Sequence, residues 1–215
     1  MGRTNKELER LFVKVETLLQ NAVDDTIKAH FEEVGITPQK LTDVQLILSN
    51  TRALNQQQKV KYGELFAAQD AFDAKLKETK KTYMRHVKTA RIAAKDDRAT
   101  FQKLGVDGRR ERQFSLWVEQ AKQFYTTALN DVTMQAILAN NALTVEKLEA
   151  GKQLVEASEA AFQVLLSRRG DSHLSTVFRN ESWEGLENSY SDYRKLARVA
   201  LADKPQLLEK LGIPK

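Results

Sequence analysis

The 215 residues carry 34 Lys and Arg against 29 Asp and Glu, a formal charge of +5, with 41% apolar residues, nine Gly, three Pro and no Cys. The lack of Cys excludes disulfides, thiolate metal sites and cysteine nucleophiles, and no apolar run approaches the roughly 20 residues needed to span a bilayer. Few breakers and many charges suit packed amphipathic helices rather than disorder; with a start, MGRTNKELER, that lacks the apolar core of a signal peptide, a cytoplasmic protein is expected.

From residue 8 to 31, Leu8, Leu11, Val15, Leu18 and Ala22 recur at helical spacing with Phe12 and Leu19 beside them, which predicts one helix. Gly35 falls where a helix C-terminus is capped, and Thr37-Pro38 supplies an N-cap followed by proline in the first turn. A second helix runs through Leu41, Val44, Leu48 and Ala53 into Gln56-Gln57-Gln58, and Gly63 leaves open whether the chain bends or continues. Leu65, Phe72, Leu76, Tyr83, Val87, Ala90 and Ala94 mark a third helix, and Asp96 or Asp97 caps a short one ending at Leu104-Gly105. From Arg112 the order returns: Phe114, Trp117, Ala121, Phe124, Ala128 and Val132 predict a helix stopping near Asn140-Asn141, and Thr144 caps the next.

Sliding the chain on itself by 107 positions places Thr37 on Thr144, Lys40-Leu41 on Lys147-Leu148 and Gly63 on Gly170. It also places YMRHVKTARIAAKDDRATFQKLGV, from Tyr83, on YSDYRKLARVALADKPQLLEKLGI, from Tyr190, with nine of 24 positions identical and no gap. Between Gly63 and Leu76 the register fails, because SRRGDSHLSTVFRNES, from Ser167, reads as a loop or broken helix. The expected fold is all-α: a pseudo-symmetric helical bundle of two tandem units of about 107 residues, 1–107 and 108–215, with three long helices and a short one in each. The chain ends, Met1 and Lys215, are expected to pack on the bundle or on a neighbouring copy.

The ending ARVALADKPQLLEKLGI, from Ala197, and the link LGVDGRRERQF, from Leu104, resemble the corresponding segments of uncharacterised bacterial helical-bundle proteins. The resemblance implies a helical fold in a bacterial cytosol. It carries over no activity, cofactor or site residue.

No phosphate-binding glycine loop, dinucleotide fingerprint or nucleophile elbow occurs. His30, His86 and His173 stand far apart without the Glu-x-x-His spacing of metal-binding bundles. Neighbouring carboxylates such as Asp24-Asp25, Glu32-Glu33 and Asp96-Asp97 diverge around a helix and read as solvated faces or caps. Arg169-Gly170-Asp171 reads as a turn. We therefore expect no catalytic, cofactor or metal residues. Arg109, Arg110 and Arg112 read as donors to the carbonyls ending the short helix, Arg91 and Arg198 as cations at helix C-termini, and His86, aligned with Tyr193, as a part-buried ring.

The strongest charged feature is the row Lys77, Lys81, Arg85 and Lys88, which at helical spacing tracks phosphates, anionic lipid or an acidic helix. Its counterparts are Glu184, Asn188, Asp192 and Lys195, so Glu184 and Asp192 form a candidate complementary interface. The expected function is a non-enzymatic interaction or scaffold protein, self-associating or bound to a protein partner. The alternative is a nucleic-acid or anionic-surface binder.

Overall fold

A computed structural model describes residues 4–214, so the expectation for Met1 and Lys215 lies outside the described residues. Among these the chain is all-α, with eight helices and no strand. Helix α1, Asn5–Asn21, opens on a capping box in which Glu7 N donates to Thr4 Oγ1 and Thr4 N to Glu7 Oε2. Helix α2, Asp25–Glu33, is separate, which corrects the single helix expected over 8–31. Asp24 takes extended backbone angles and its carboxylate accepts the Thr26 amide, so it caps a new helix instead of continuing the old one. The later counterpart divides in the same way, into α5, Phe114–Asn130, and α6, Val132–Ala139, with Asp131 accepting from the Met134 amide.

Helix α3, Pro38–Ala93, passes through Gly63 without interruption, and α7, Val145–Ala200, has the same 56 residues, starting 107 positions later. The loop expected over 167–182 is helix, as is the turn expected at Arg169-Gly170-Asp171. The physical reason lies in the packing. Ser172, Ser175 and Arg179 are buried, and the Ser175 and Thr176 hydroxyls donate to the Ser172 carbonyl, so groups that favour turns are consumed along the helix. Two six-residue helices, α4, Arg98–Lys103, and α8, Pro205–Lys210, follow the long ones and also start 107 positions apart.

The chain forms two compact units. The first takes the residues up to Tyr62 and those from Asp171 onward: α1, α2, the first part of α3, the last part of α7, and α8. Its core joins Leu8, Phe12, Leu18 and Phe31 to Trp183, Leu186 and Leu211. The second is Gly63–Gly170, holding the rest of α3, α4, α5, α6 and the first part of α7 around Tyr83, Trp117, Phe124, Tyr125 and Leu148. Each unit therefore draws on both sequence halves.

Local details recur in the two units. Gly35 and Ala142, 107 apart, both have positive φ, +77° and +59°, past a helix end where Ile36 N reaches Phe31 O and Leu143 N reaches Leu138 O. Lys40 and Lys147 donate to the carbonyls of these two residues at 2.8 and 2.6 Å, which accounts for their identity in the aligned sequences. The buried stripe of α5 matches that of α1 at a shift of 106. On that register the ion pair Glu16–Arg52, 2.7 Å, answers to Lys122–Glu159, 2.6 Å, with the signs exchanged. Bulk is exchanged too: Tyr125 packs against Gly151, where the first unit has Leu19 and Val44.

Candidate interaction surfaces

In the second unit α3 buries Tyr83, His86, Val87 and Ala90. Positions 77, 81, 85 and 88 fall on the other side of the same turns, and Lys77, Lys81, Arg85 and Lys88 are all exposed. At 1.5 Å per residue the row is about 16 Å long. Nearby cations are engaged: Lys75 binds Glu78 at 2.9 Å, and Lys80 stands over the Trp117 ring at 5.6 Å. The four in the row make no hydrogen bond or ion pair among the described residues. The second unit holds 18 basic against 14 acidic residues, the first 16 against 15, so the excess cation lies where the row lies.

Glu184 and Asp192 are exposed on the part of α7 that belongs to the first unit. They are not equivalent. Asp192 accepts from Lys195 Nζ at 3.1 Å, and Lys195 is the counterpart of Lys88, so one acid of the pair is already neutralised by its own helix.

Other charged or titratable groups singled out by the sequence have structural partners. His86 Nδ1 meets the Tyr125 hydroxyl at 3.0 Å in the core of the second unit, so the ring is more deeply buried than its alignment with Tyr193 suggests. Burial first, then the charges of Arg85 and Lys147, hold its pKa down at about 4; burial raises that of Tyr125. Both are neutral at pH 7. Arg110 donates to Gly105 O at 2.8 Å, to Asp107 O and to the Tyr83 hydroxyl at 3.2 Å, and of the three arginines Arg109, Arg110 and Arg112 expected to bind carbonyls it alone does so among the described residues. Arg91 reaches Val106 O and Gly108 O, and Arg198 reaches Pro214 O, so both tie down the turn after a short helix. Asp24 accepts from Lys210 and Thr26, which lowers its pKa to about 2. Among the described residues no group of three or more His, Asp or Glu is placed to hold a metal.

Two features of the first unit escaped the sequence. Arg179 is buried without a carboxylate, donating instead to Asn180 Oδ1 at 2.7 Å, Asn5 Oδ1 at 3.2 Å and Gln58 Oε1 at 3.4 Å. The residue 107 positions earlier is Phe72, in a ring cluster with Phe114 and Phe162. A cavity of about 450 Å³ also opens between α1 and α7, lined by Arg10, Leu11, Lys14, Trp183, Tyr190 and Arg194 among others. The readable signal was an exchange of volume: Leu11 stands where the other half has Trp117, and Arg194 where it has Val87. Comparison with protein families, curated proteins and solved structures finds no match for the chain.

Proposed function

We propose that the protein is a non-enzymatic helical interaction protein, made of two copies of one unit and working by presenting charged helix faces to an acidic protein surface or to another copy of itself. The observation that carries this reading is the row Lys77, Lys81, Arg85 and Lys88, four aligned cations that no acid among the described residues pairs with. Exposed charges of this kind add little to stability, so their alignment is better understood as a surface offered to something else. Duplication is supported by the matching bounds of α3 and α7, the paired left-handed residues Gly35 and Ala142, and the sign-exchanged ion pairs. A duplicated scaffold that keeps the row in one copy only acquires a directional surface.

A second reading, binding to phosphates of a nucleic acid, is favoured by the helical regularity of the row. The two separate by experiment. Sedimentation of the wild type should show association that falls with salt, and changing all four cations to Gln should abolish it while the helical circular dichroism is kept. Reversing Glu184 and Asp192 to Lys should break self-association, yet leave or strengthen retention on DNA. For DNA, the Gln set should flatten the salt dependence of log K by about three to four units. If neither set alters any association, the row is only a solvated face and the proposal fails.

A further inference from the structure

We infer that the cavity between α1 and α7 in the first unit binds a small organic anion: a phosphate or carboxylate head on an apolar, ring-sized body. Its volume of about 450 Å³ lies within the range of small-molecule sites. Its floor is apolar, because Leu11, Trp183 and Tyr190 are core residues that close it from beneath. Its rim carries three cations, Arg10, Lys14 and Arg194, and none of these makes a hydrogen bond or ion pair among the described residues. The two acids of the rim are already engaged: Glu7 Oε2 accepts from the Thr4 amide and hydroxyl, and Glu187 is not free.

Arg194 is the unusual member. Its Nε is buried with no acceptor, a condition that native structures rarely leave unexplained. Arg110 also has a buried Nε without an acceptor, but its other nitrogens hold two carbonyls and a hydroxyl, and Arg194 has no such partners. A half-buried guanidinium without a counter-ion meets an incoming anion with little intervening water, and its planar fork suits a carboxylate or phosphate.

The other unit shows what the same scaffold looks like when this space is packed. Trp117 takes the position of Leu11 and lies edge-on to Tyr83 at 5.7 Å, and Val87 takes the position of Arg194. The smaller residue on α1 and the cation on α7 thus occur together, and only where the cavity is open.

The test is calorimetric titration of the whole chain with phenyl phosphate, benzoate and inorganic phosphate. Phenyl phosphate or benzoate should saturate one site, and whichever binds tighter identifies the head group. Inorganic phosphate, which lacks the apolar body, should bind at least tenfold more weakly. Arg194→Gln should weaken the tighter probe at least tenfold with unchanged circular dichroism, and Leu11→Trp, which copies the filled unit, should abolish its heat. If Leu11→Trp fails to fold, Arg194→Gln decides alone. No saturable binding of any probe at about 5 mM, a free energy weaker than about 3 kcal/mol by the affinity relation, would overturn the inference, as would undiminished binding in Arg194→Gln.

Discussion

Ala142 occupies the left-handed region at φ +59°, where a side chain is strained by roughly 1 to 2 kcal/mol, and its counterpart Gly35 is free of that strain. Replacing Ala142 by Gly should therefore raise the unfolding free energy by about 1 kcal/mol, and Gly35→Ala should lower it by a similar amount. Chemical denaturation of both variants checks the pair, and two shifts of the same sign would show that φ is not what matters there. The stop at Asn140-Asn141 was legible in the sequence, but the left-handed residue lies one position later, where Ala gives no composition signal. His86 offers a second test. Its pKa is about 4 in the fold against about 6.5 when unfolded, so the unfolded chain binds more protons between those values. Stability from this residue is complete above about pH 6.5 and is lost as pH falls towards 4, by roughly 3 kcal/mol through linkage. Urea unfolding across that window should show a pH profile flatter by about this amount in His86→Phe, and parallel profiles would remove the assignment.

At the scale of helices, caps were the most legible part: Thr37-Pro38, Thr144 and Asp97 all stand where helices begin. Each uses a short polar side chain or a fixed φ, properties that belong to the residue itself. The course of α7 between 167 and 182 was not legible, because Ser, Gly, Asp and Asn have weak helix propensity and what outweighs it is burial against α3. The breaks between α1 and α2 and between α5 and α6 were half legible: Asp24 read as a cap or a solvated face, and only the fold shows the cap. Glycines inside the long helices separate propensity from packing. A Cβ on Gly63 or Gly170 meets nothing, so each change to Ala should stabilise by about 1 kcal/mol. At Gly151 a Cβ would lie well inside contact with the Tyr125 ring, which His86 pins, so Gly151→Ala should cost about 1 to 3 kcal/mol despite its better propensity. Thermal or denaturant unfolding of the three variants distinguishes these signs; a stabilising Gly151→Ala would mean that the Tyr125 ring is loosely held.

At the scale of the molecule, the sequence alone leads to an expectation of two halves, 1–107 and 108–215, and packing groups the segments differently, because the apolar stripes of each stretch are covered by helix from the other. No periodicity within one half reveals which half supplies the cover. The sign exchange between Glu16–Arg52 and Lys122–Glu159 bears on that choice: α1 set against the α7 position of Arg52 would bring Glu16 to Glu159, and α5 set on α3 would bring Lys122 to Arg52. Like charges at both sites disfavour exchanging the two first helices. The candidate surfaces were legible in the same uneven way, since the basic row follows from spacing alone, whereas the cavity and Arg179 depend on residues far apart in the chain. The core of the second unit lies wholly within Gly63–Gly170. Expressed alone, residues 63–170 should unfold cooperatively with strong helical circular dichroism, and residues 1–107, a complete sequence half, should not. The opposite result would show that the halves, not the packed units, are the folding entities.

That division has a consequence in time. The second unit is one uninterrupted stretch, so it is ready to close as soon as its last residues leave the ribosome. The first unit is closed by segments far apart in the sequence: Leu8, Phe12, Leu18 and Phe31 emerge well before the residues that cover them, Trp183, Leu186 and Leu211. At usual elongation rates that interval is roughly 8 to 30 s. For that time the opening helices carry an uncovered apolar stripe on a chain whose middle is already folded. The newborn protein is then at its most vulnerable to aggregation, and it is there that a chaperone has the most to hold.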